Sequence, residues 1–107
     1  MMRDSQRGQI LEACSGNKSA ADMMRFFQTV HGFNRRDFPD DKPDSPRILI
    51  TYTYQDLQAK LGGSRSTIYR NVKLLASRGF ITVIPSEGEK HTYRVNPEAI
   101  GKWLQPM

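Results

Sequence analysis

Residues Thr53 to Ile81 read TYQDLQAKLGGSRSTIYRNVKLLASRGFI, and their punctuation predicts two helices separated by a tight turn. Thr53 is placed to cap a first helix over Tyr54 to Leu61, where Leu57 and Leu61 stand four apart on one face. Gly62-Gly63 then breaks the pattern, because glycine gives up the most backbone freedom in a helix and most readily turns out of one. Ser64 is placed to cap a second helix over Arg65 to Ser77, whose Ile68, Val72, Leu75 and Ala76 fall at i, i+4, i+7 and i+8. Gly79 is the natural C-cap.

On the C-terminal side, Phe80 to Ile84 (FITVI) reads as a strand by β-propensity. Pro85-Ser86-Glu87-Gly88-Glu89 reads as a turn, and His91 to Val95 (HTYRV) as the returning strand of a hairpin. Asn96 then caps a last helix with Pro97 at its first position and Ala99, Ile100, Trp103 and Leu104 on its apolar face. On the N-terminal side, Arg47 to Thr51 (RILIT) is bounded by Pro46 and by the Thr53 cap, which predicts a short strand. Asn34 to Pro46 (NRRDFPDDKPDSP) carries prolines and Asp or Asn throughout, and reads as a loop. Ser19 to His31 is expected to be a helix with Ser19 as N-cap, an apolar stripe of Met23, Met24, Phe26, Phe27 and Val30, and Gly32 as its stop. Asp4 to Cys14 reads as a short, fraying helix weakened by Gly8.

The 107 residues suffice for one domain of ordinary size and not for two that each bury a core. The expected organisation of 1–107 is therefore a single domain: N-terminal helices in 1–33, a loop in 34–46, strand, helix pair and hairpin in 47–95, and a C-terminal helix in 96–107. Its class is α+β. Two helices joined by a short Gly-containing turn, the second of them basic, form the layout of a helix-turn-helix, and the hairpin that follows adds a wing.

The formal charge of +5 is unevenly spread. Residues 1–50 carry eight basic and seven acidic groups, residues 51–80 five and one, and residues 81–107 three and three, so nearly all of the surplus sits in the helix pair. A concentrated surplus is the electrostatic footprint of a face that binds a polyanion. With the apolar stripe of Arg65 to Ser77 turned inward, Arg65, Ser66, Tyr69, Arg70 and Lys73 share the outward face, and no acidic residue occurs between Gly62 and Ile84. An α-helix fits the major groove of DNA, Arg can bind guanine O6 and N7 with two hydrogen bonds, and Ser or Thr can reach bases or phosphates. The first-turn amides around Ser64 to Ser66 also suit a phosphate oxygen. By itself, a helix with two Arg and one Lys is an ordinary solvated surface; the tight turn before it and the basic hairpin after it are what favour DNA.

The same stretch resembles the core of bacterial winged helix-turn-helix DNA-binding proteins, whose pattern LGxSRSTxYRxxxxLxxxGxI is matched by Leu61, Gly62, Ser64, Arg65, Ser66, Thr67, Tyr69, Arg70, Leu75, Gly79 and Ile81. Gly63 departs from it, since an apolar residue commonly tucks that turn onto the core. The resemblance implies helices around a three-helix core with a small antiparallel sheet and a wing hairpin. It also implies binding of double-stranded DNA through Ser64, Arg65, Ser66, Thr67, Tyr69, Arg70 and Lys73. By charge, the wing is expected to touch the backbone or the minor-groove edge through Lys90 or Arg94, with Glu87 facing away.

A small dimeric regulator, a transcriptional repressor in the cytoplasm, is the expected role, since there is no room for a separate effector domain and a dimer reading two half-sites gains affinity. Met23, Phe26, Phe27 and Trp103 are the candidates for the homodimer contact, with core packing inside one subunit as the competing reading for each, and Leu74, off the core stripe, could join them. A replication or partition protein of a plasmid or phage, or a winged helix used to bind another protein, would fit the same residues.

Other classes have less to offer. Cys14 stands alone, which excludes an intramolecular disulfide framework and a Cys-rich zinc site. Cys14, His31 and His91 are far apart in sequence and form no nucleophile–base set, and neither histidine has partners at metal-ligand spacing, so no catalysis, metal or cofactor is expected. No run of apolar residues reaches the roughly 18–20 needed to span a membrane, and no signal-peptide core follows the first residues.

Overall fold

The helix pair is set by its caps. In a computed structural model, which describes residues 10–14, 16–85, 88 and 90–103 and only the backbone of Trp103, Thr53 Oγ1 accepts the amide of Asp56 at 2.9 Å while Asp56 Oδ2 accepts the amide of Thr53 at 3.1 Å. This reciprocal capping box starts a helix over Tyr54–Leu61. Ser64 Oγ accepts the amide of Thr67 at 3.1 Å and starts the next helix, Arg65–Ser77. Both bounds are those the sequence predicts. At the far end the amide of Phe80 reaches Leu75 O and that of Gly79 reaches Ala76 O, both at 3.0 Å. These two bonds form a Schellman motif, with Arg78 as the cap and Gly79 one step beyond it at φ +78°.

The described residues form an α+β domain of five helical segments and one three-stranded antiparallel sheet. In chain order these are α1 (described residues 10–13), α2 (Lys18–Asp37), β1 (Ile50–Thr53), α3 (Tyr54–Leu61), α4 (Arg65–Ser77), β2 (Ile81–Ile84), β3 (Lys90–Val95) and α5 (Pro97–Trp103). β3 is the central strand: Ile50 faces Tyr93 on one side, and Ile81 faces Val95 on the other. Side chains alternate across a strand, so His91, Tyr93 and Val95 share one face of β3 and Lys90, Thr92 and Arg94 the other.

The core lies between the inner sheet face and the helices. It gathers Met23, Met24 and Phe27 from α2, Leu57 from α3, Ile68, Val72 and Leu75 from α4, and Ile50, Ile81 and Tyr93 from the sheet. Each such side chain contributes about 1.5–3 kcal/mol by leaving water. Leu74 is half-buried against this core.

Several boundaries differ from the sequence reading; β2 begins at Ile81 and β3 at Lys90, each one residue from the expected start, and β1 runs on to Thr53. The N-cap of α2 is Asn17, whose side chain accepts the amide of Ala20 at 3.1 Å, while Ser19 is already helical and donates to Asn17 Oδ1. The helix passes through Gly32 to Asp37, because glycine inside a helix costs only about 1 kcal/mol and does not force an end. The stop comes from Pro39, which bars helical geometry at Phe38 (φ −133°, ψ 65°); Arg35 and Arg36 in the last turn also suit the negative end of the dipole. The loop therefore begins at 38. β1 begins at Ile50 and not at Arg47, since the amides of Ile48 and Leu49 are used in a turn onto Ser45 O and Arg47 is clamped by Asp41.

Helix α5 starts at Pro97 as expected, with Asn96 O accepting the amides of Ala99 and Ile100. The Asn96 side chain, however, donates to Gly79 O and Thr82 Oγ1, both at 3.0 Å, tying the start of α5 to the end of α4. The expected helix over Asp4 to Cys14 is described only from residue 10, and Ser86, Glu87, Glu89 and Leu104 lie outside the described residues.

Candidate nucleic-acid interface

Helix α4 has two contrasting sides. Ile68, Val72 and Leu75 are buried, as is Asn71, whose Nδ2 donates to Ser19 Oγ at 3.0 Å and whose Oδ1 accepts from Asn17 Nδ2 at 3.3 Å. This polar pin couples the middle of α4 to the capped start of α2. The opposite side exposes Arg65, Ser66, Tyr69, Arg70 and Lys73, with Tyr69 44% exposed although it is aromatic. The structure thus brings together five of the residues read from the sequence.

The turn in front of the helix fixes its angle to α3. Gly62 (φ +78°) and Gly63 (φ +88°) are both left-handed, which explains why no apolar residue stands at 63. Gln58 Nε2 donates to Gly63 O at 3.3 Å and ties the turn back onto α3.

Two residues outside the expected set complete the surface. The Tyr54 ring, at the first position of α3, stacks on His91 of β3 at 4.8 Å and meets Tyr69 edge-on at 6.2 Å. The Arg65 guanidinium lies 5.7 Å from the Tyr54 ring centroid and the Lys73 ammonium 5.1 Å from that of Tyr69. Hydrogen bonding with Tyr69 pushes the Lys73 pKa up, so its positive charge is held at neutral pH. Burial pushes the Tyr54 phenol up, keeping that ring neutral. The result is a cation–aromatic surface whose Tyr54, Arg65, Ser66, Tyr69 and Arg70 line a cleft of about 290 Å³. Periodicity along one helix cannot reveal Tyr54 or His91 as neighbours of α4; only the packing of α3 and β3 against it does. His91 reads in sequence only as the first residue of the returning hairpin strand.

Other expected contacts are redistributed. The hydroxyls of Ser64 and Thr67 lie 3.0 Å apart and serve the helix cap, with Ser64 exposed and Thr67 half-buried at the start of α4. Arg94 sits on the outer sheet face, where Nη1 binds Asp44 Oδ1 at 2.8 Å and Nε donates to Asn96 Oδ1 at 3.3 Å, an ion pair whose two side chains both remain partly exposed. Lys90 is exposed at the start of β3, opposite Thr53, and its charge helps hold the Asp56 carboxyl below its ordinary pKa.

The expected dimer contacts also change. Met23 and Phe27 are fully buried within the single chain, and Phe26 is half-buried against Phe27 and Tyr52, with ring centroids 5.9 and 5.7 Å away. Met23 and Phe27 therefore fill the core and present nothing to a partner. The Trp103 side chain lies outside the described residues.

Among the described residues no helix is long and apolar enough to cross a membrane. No family model, no curated protein and no solved structure matches the chain.

Proposed function

We propose that the protein is a winged helix-turn-helix regulator that binds double-stranded DNA in a sequence-specific manner, with α4 in the major groove. The observation that carries this reading is the division of α4 into an apolar side locked into the core and an outer side where Arg65, Tyr69, Arg70 and Lys73 stand exposed. No acidic side chain occurs in the sequence from Gly62 to Ile84 to oppose an approaching phosphate backbone. The order of helix pair followed by the β2–β3 hairpin supports the winged form, with the hairpin lying beside the groove.

In this arrangement Arg65 and Arg70 reach guanine edges, Ser66 a base or phosphate, and Lys73 the backbone. Tyr69, braced by Tyr54, offers its ring to a thymine methyl or a sugar. A homodimer on two half-sites would act as a repressor by occupying its operator. Selection of bound duplexes from a random pool is the test: the reading expects an enriched motif a few base pairs long and its inverted repeat. Recovery of no motif would overturn sequence-specific binding.

A further inference from the structure

Asn71 stands on the apolar side of α4, three residues after Ile68 and one before Val72, yet it carries an amide and is only 3% exposed. Its hydrogen bonds close a ring. Asn71 Nδ2 donates to Ser19 Oγ at 3.0 Å, Ser19 Oγ donates to Asn17 Oδ1 at 2.8 Å, and Asn17 Nδ2 donates back to Asn71 Oδ1 at 3.3 Å. Each side chain both gives and receives, so the three bonds polarise one another in one direction. Asn17 Oδ1 also accepts the amide of Ala20, which makes the ring part of the cap that starts α2.

Stability does not call for this ring. A leucine at 71 would extend the apolar stripe of Ile68, Val72 and Leu75, while Asn17 and Ser19, both exposed, would turn to water. What the ring adds is direction, because apolar contacts tolerate rotation and hydrogen bonds do not. Packing is also open beside it. A recess of about 90 Å³ is lined by Ser19, Met23, Gly62, Gly63, Ile68 and Asn71 among others, and the two glycines put no side chain into it. Close packing at this end therefore leaves α4 short of a fixed seat on α2, and the ring supplies one.

We infer that the ring of Asn17, Ser19 and Asn71 sets the rotation of α4 about its axis, which makes Asn71 a positioning residue for Arg65, Tyr69 and Arg70 on the opposite side. This role rests on α4 meeting DNA as proposed above. A helix with its side chains is about 10–12 Å across, so a rotation of about 10° moves an outer side chain by about 1 Å. Such a shift breaks a two-bond contact between Arg and a guanine edge. Attraction to phosphates, which has no fixed geometry, survives it.

Two readouts separate this role from a merely structural one, and the first needs no DNA. In NMR relaxation dispersion on the free protein, α4 amides of the unaltered chain should give flat profiles. Those of Asn71→Leu should show microsecond-to-millisecond exchange as the helix samples more than one seat. On a duplex selected from a random pool, Asn71→Leu should bind about tenfold more weakly, with its affinity for an unrelated duplex unchanged and its melting temperature within about 4 °C. Ser19→Ala, at an exposed position of α2, should weaken the selected duplex in the same direction, and Ser19→Thr, which keeps the hydroxyl, should bind as the unaltered chain does. If Asn71→Leu melts much lower, this Ser19 pair decides. Flat profiles in Asn71→Leu, equal loss on both duplexes, or full affinity for the selected duplex would overturn the positioning role. Failure of the unaltered chain to bind any duplex would remove the DNA reading, while the relaxation profiles would still decide whether the ring fixes α4.

Discussion

Tyr93 shows how a single residue can be essential in one part and wasteful in another. Its ring is fully buried at the centre of the sheet, 5.0 Å from the Phe27 ring, yet its hydroxyl has no hydrogen-bond partner among the described residues. Burial pushes its pKa far above the ordinary phenol value. Tyr93→Phe is therefore expected to leave stability unchanged or raise it by up to about 1–2 kcal/mol, whereas Tyr93→Ala should cost about 3–5 kcal/mol, both read from urea unfolding. A clear loss on Tyr93→Phe would show that the hydroxyl is satisfied. At the proposed interface, Arg65→Ala and Arg70→Ala should each weaken specific DNA binding by about tenfold or more while leaving the melting temperature within a degree or so, since both side chains are exposed and each base contact is worth about 1–3 kcal/mol. The outer residues of α4 were legible because helical period alone separates them from Ile68 and Val72. Asn71 was not: it is a polar residue on the inner face, and only its bonds to Asn17 and Ser19 explain its burial.

Among the elements, α3 and α4 follow from local chemistry. Thr53, Ser64 and Gly79 each act within a few residues of themselves, so their effect is visible in the sequence. Gly79→Ala would force a side chain into left-handed backbone at φ +78° and should cost about 1–2 kcal/mol, measured by thermal unfolding. An unchanged stability would mean that the turn can re-form another way. The α3 cap is also pH-dependent. Hydrogen bonds from Thr53 hold the Asp56 carboxyl below its ordinary value, so its stabilising contribution is complete above that value and is lost as pH falls through the depressed folded pKa. Asp56→Asn should flatten the acid limb of the stability curve, and an identical limb in the variant would remove this role. The end of α2 was not legible, because the penalty at Gly32 is small beside the packing of Phe27 and Val30 upstream and the stop at Pro39 lies seven residues on. The place of Asn96 before α5 was legible, but the use of its side chain was not: it is claimed by Gly79 and Thr82, partners that only the tertiary fold brings near.

In the whole molecule, the alternation of helices and strands was readable from patterning, while the links that close it were not. Arg94 meets Asp44 across fifty residues of chain, and Tyr54, Tyr69 and His91 converge from three elements. With Met23 and Phe27 inside the core, the proposed homodimer must use other surface; Phe33 on α2 is the most exposed large apolar side chain described, and Leu11 is also exposed. Light scattering at micromolar concentration should give twice the monomer mass, and Phe33→Glu should return it to the monomer; a monomeric mass for the unaltered chain would exclude the dimer. The central claim is that the outer side of α4 is a cationic surface for duplex DNA. Its most direct test is the affinity for a labelled duplex, by fluorescence anisotropy across a salt series, for the unaltered protein and for the Arg65→Ala, Arg70→Ala double variant. The account predicts that log affinity falls linearly with log salt for the unaltered chain, with the double variant weaker throughout and its slope little changed, because the two arginines are assigned to base edges and not to phosphates. Binding that ignores salt, or a double variant that binds as the unaltered protein does, would contradict it.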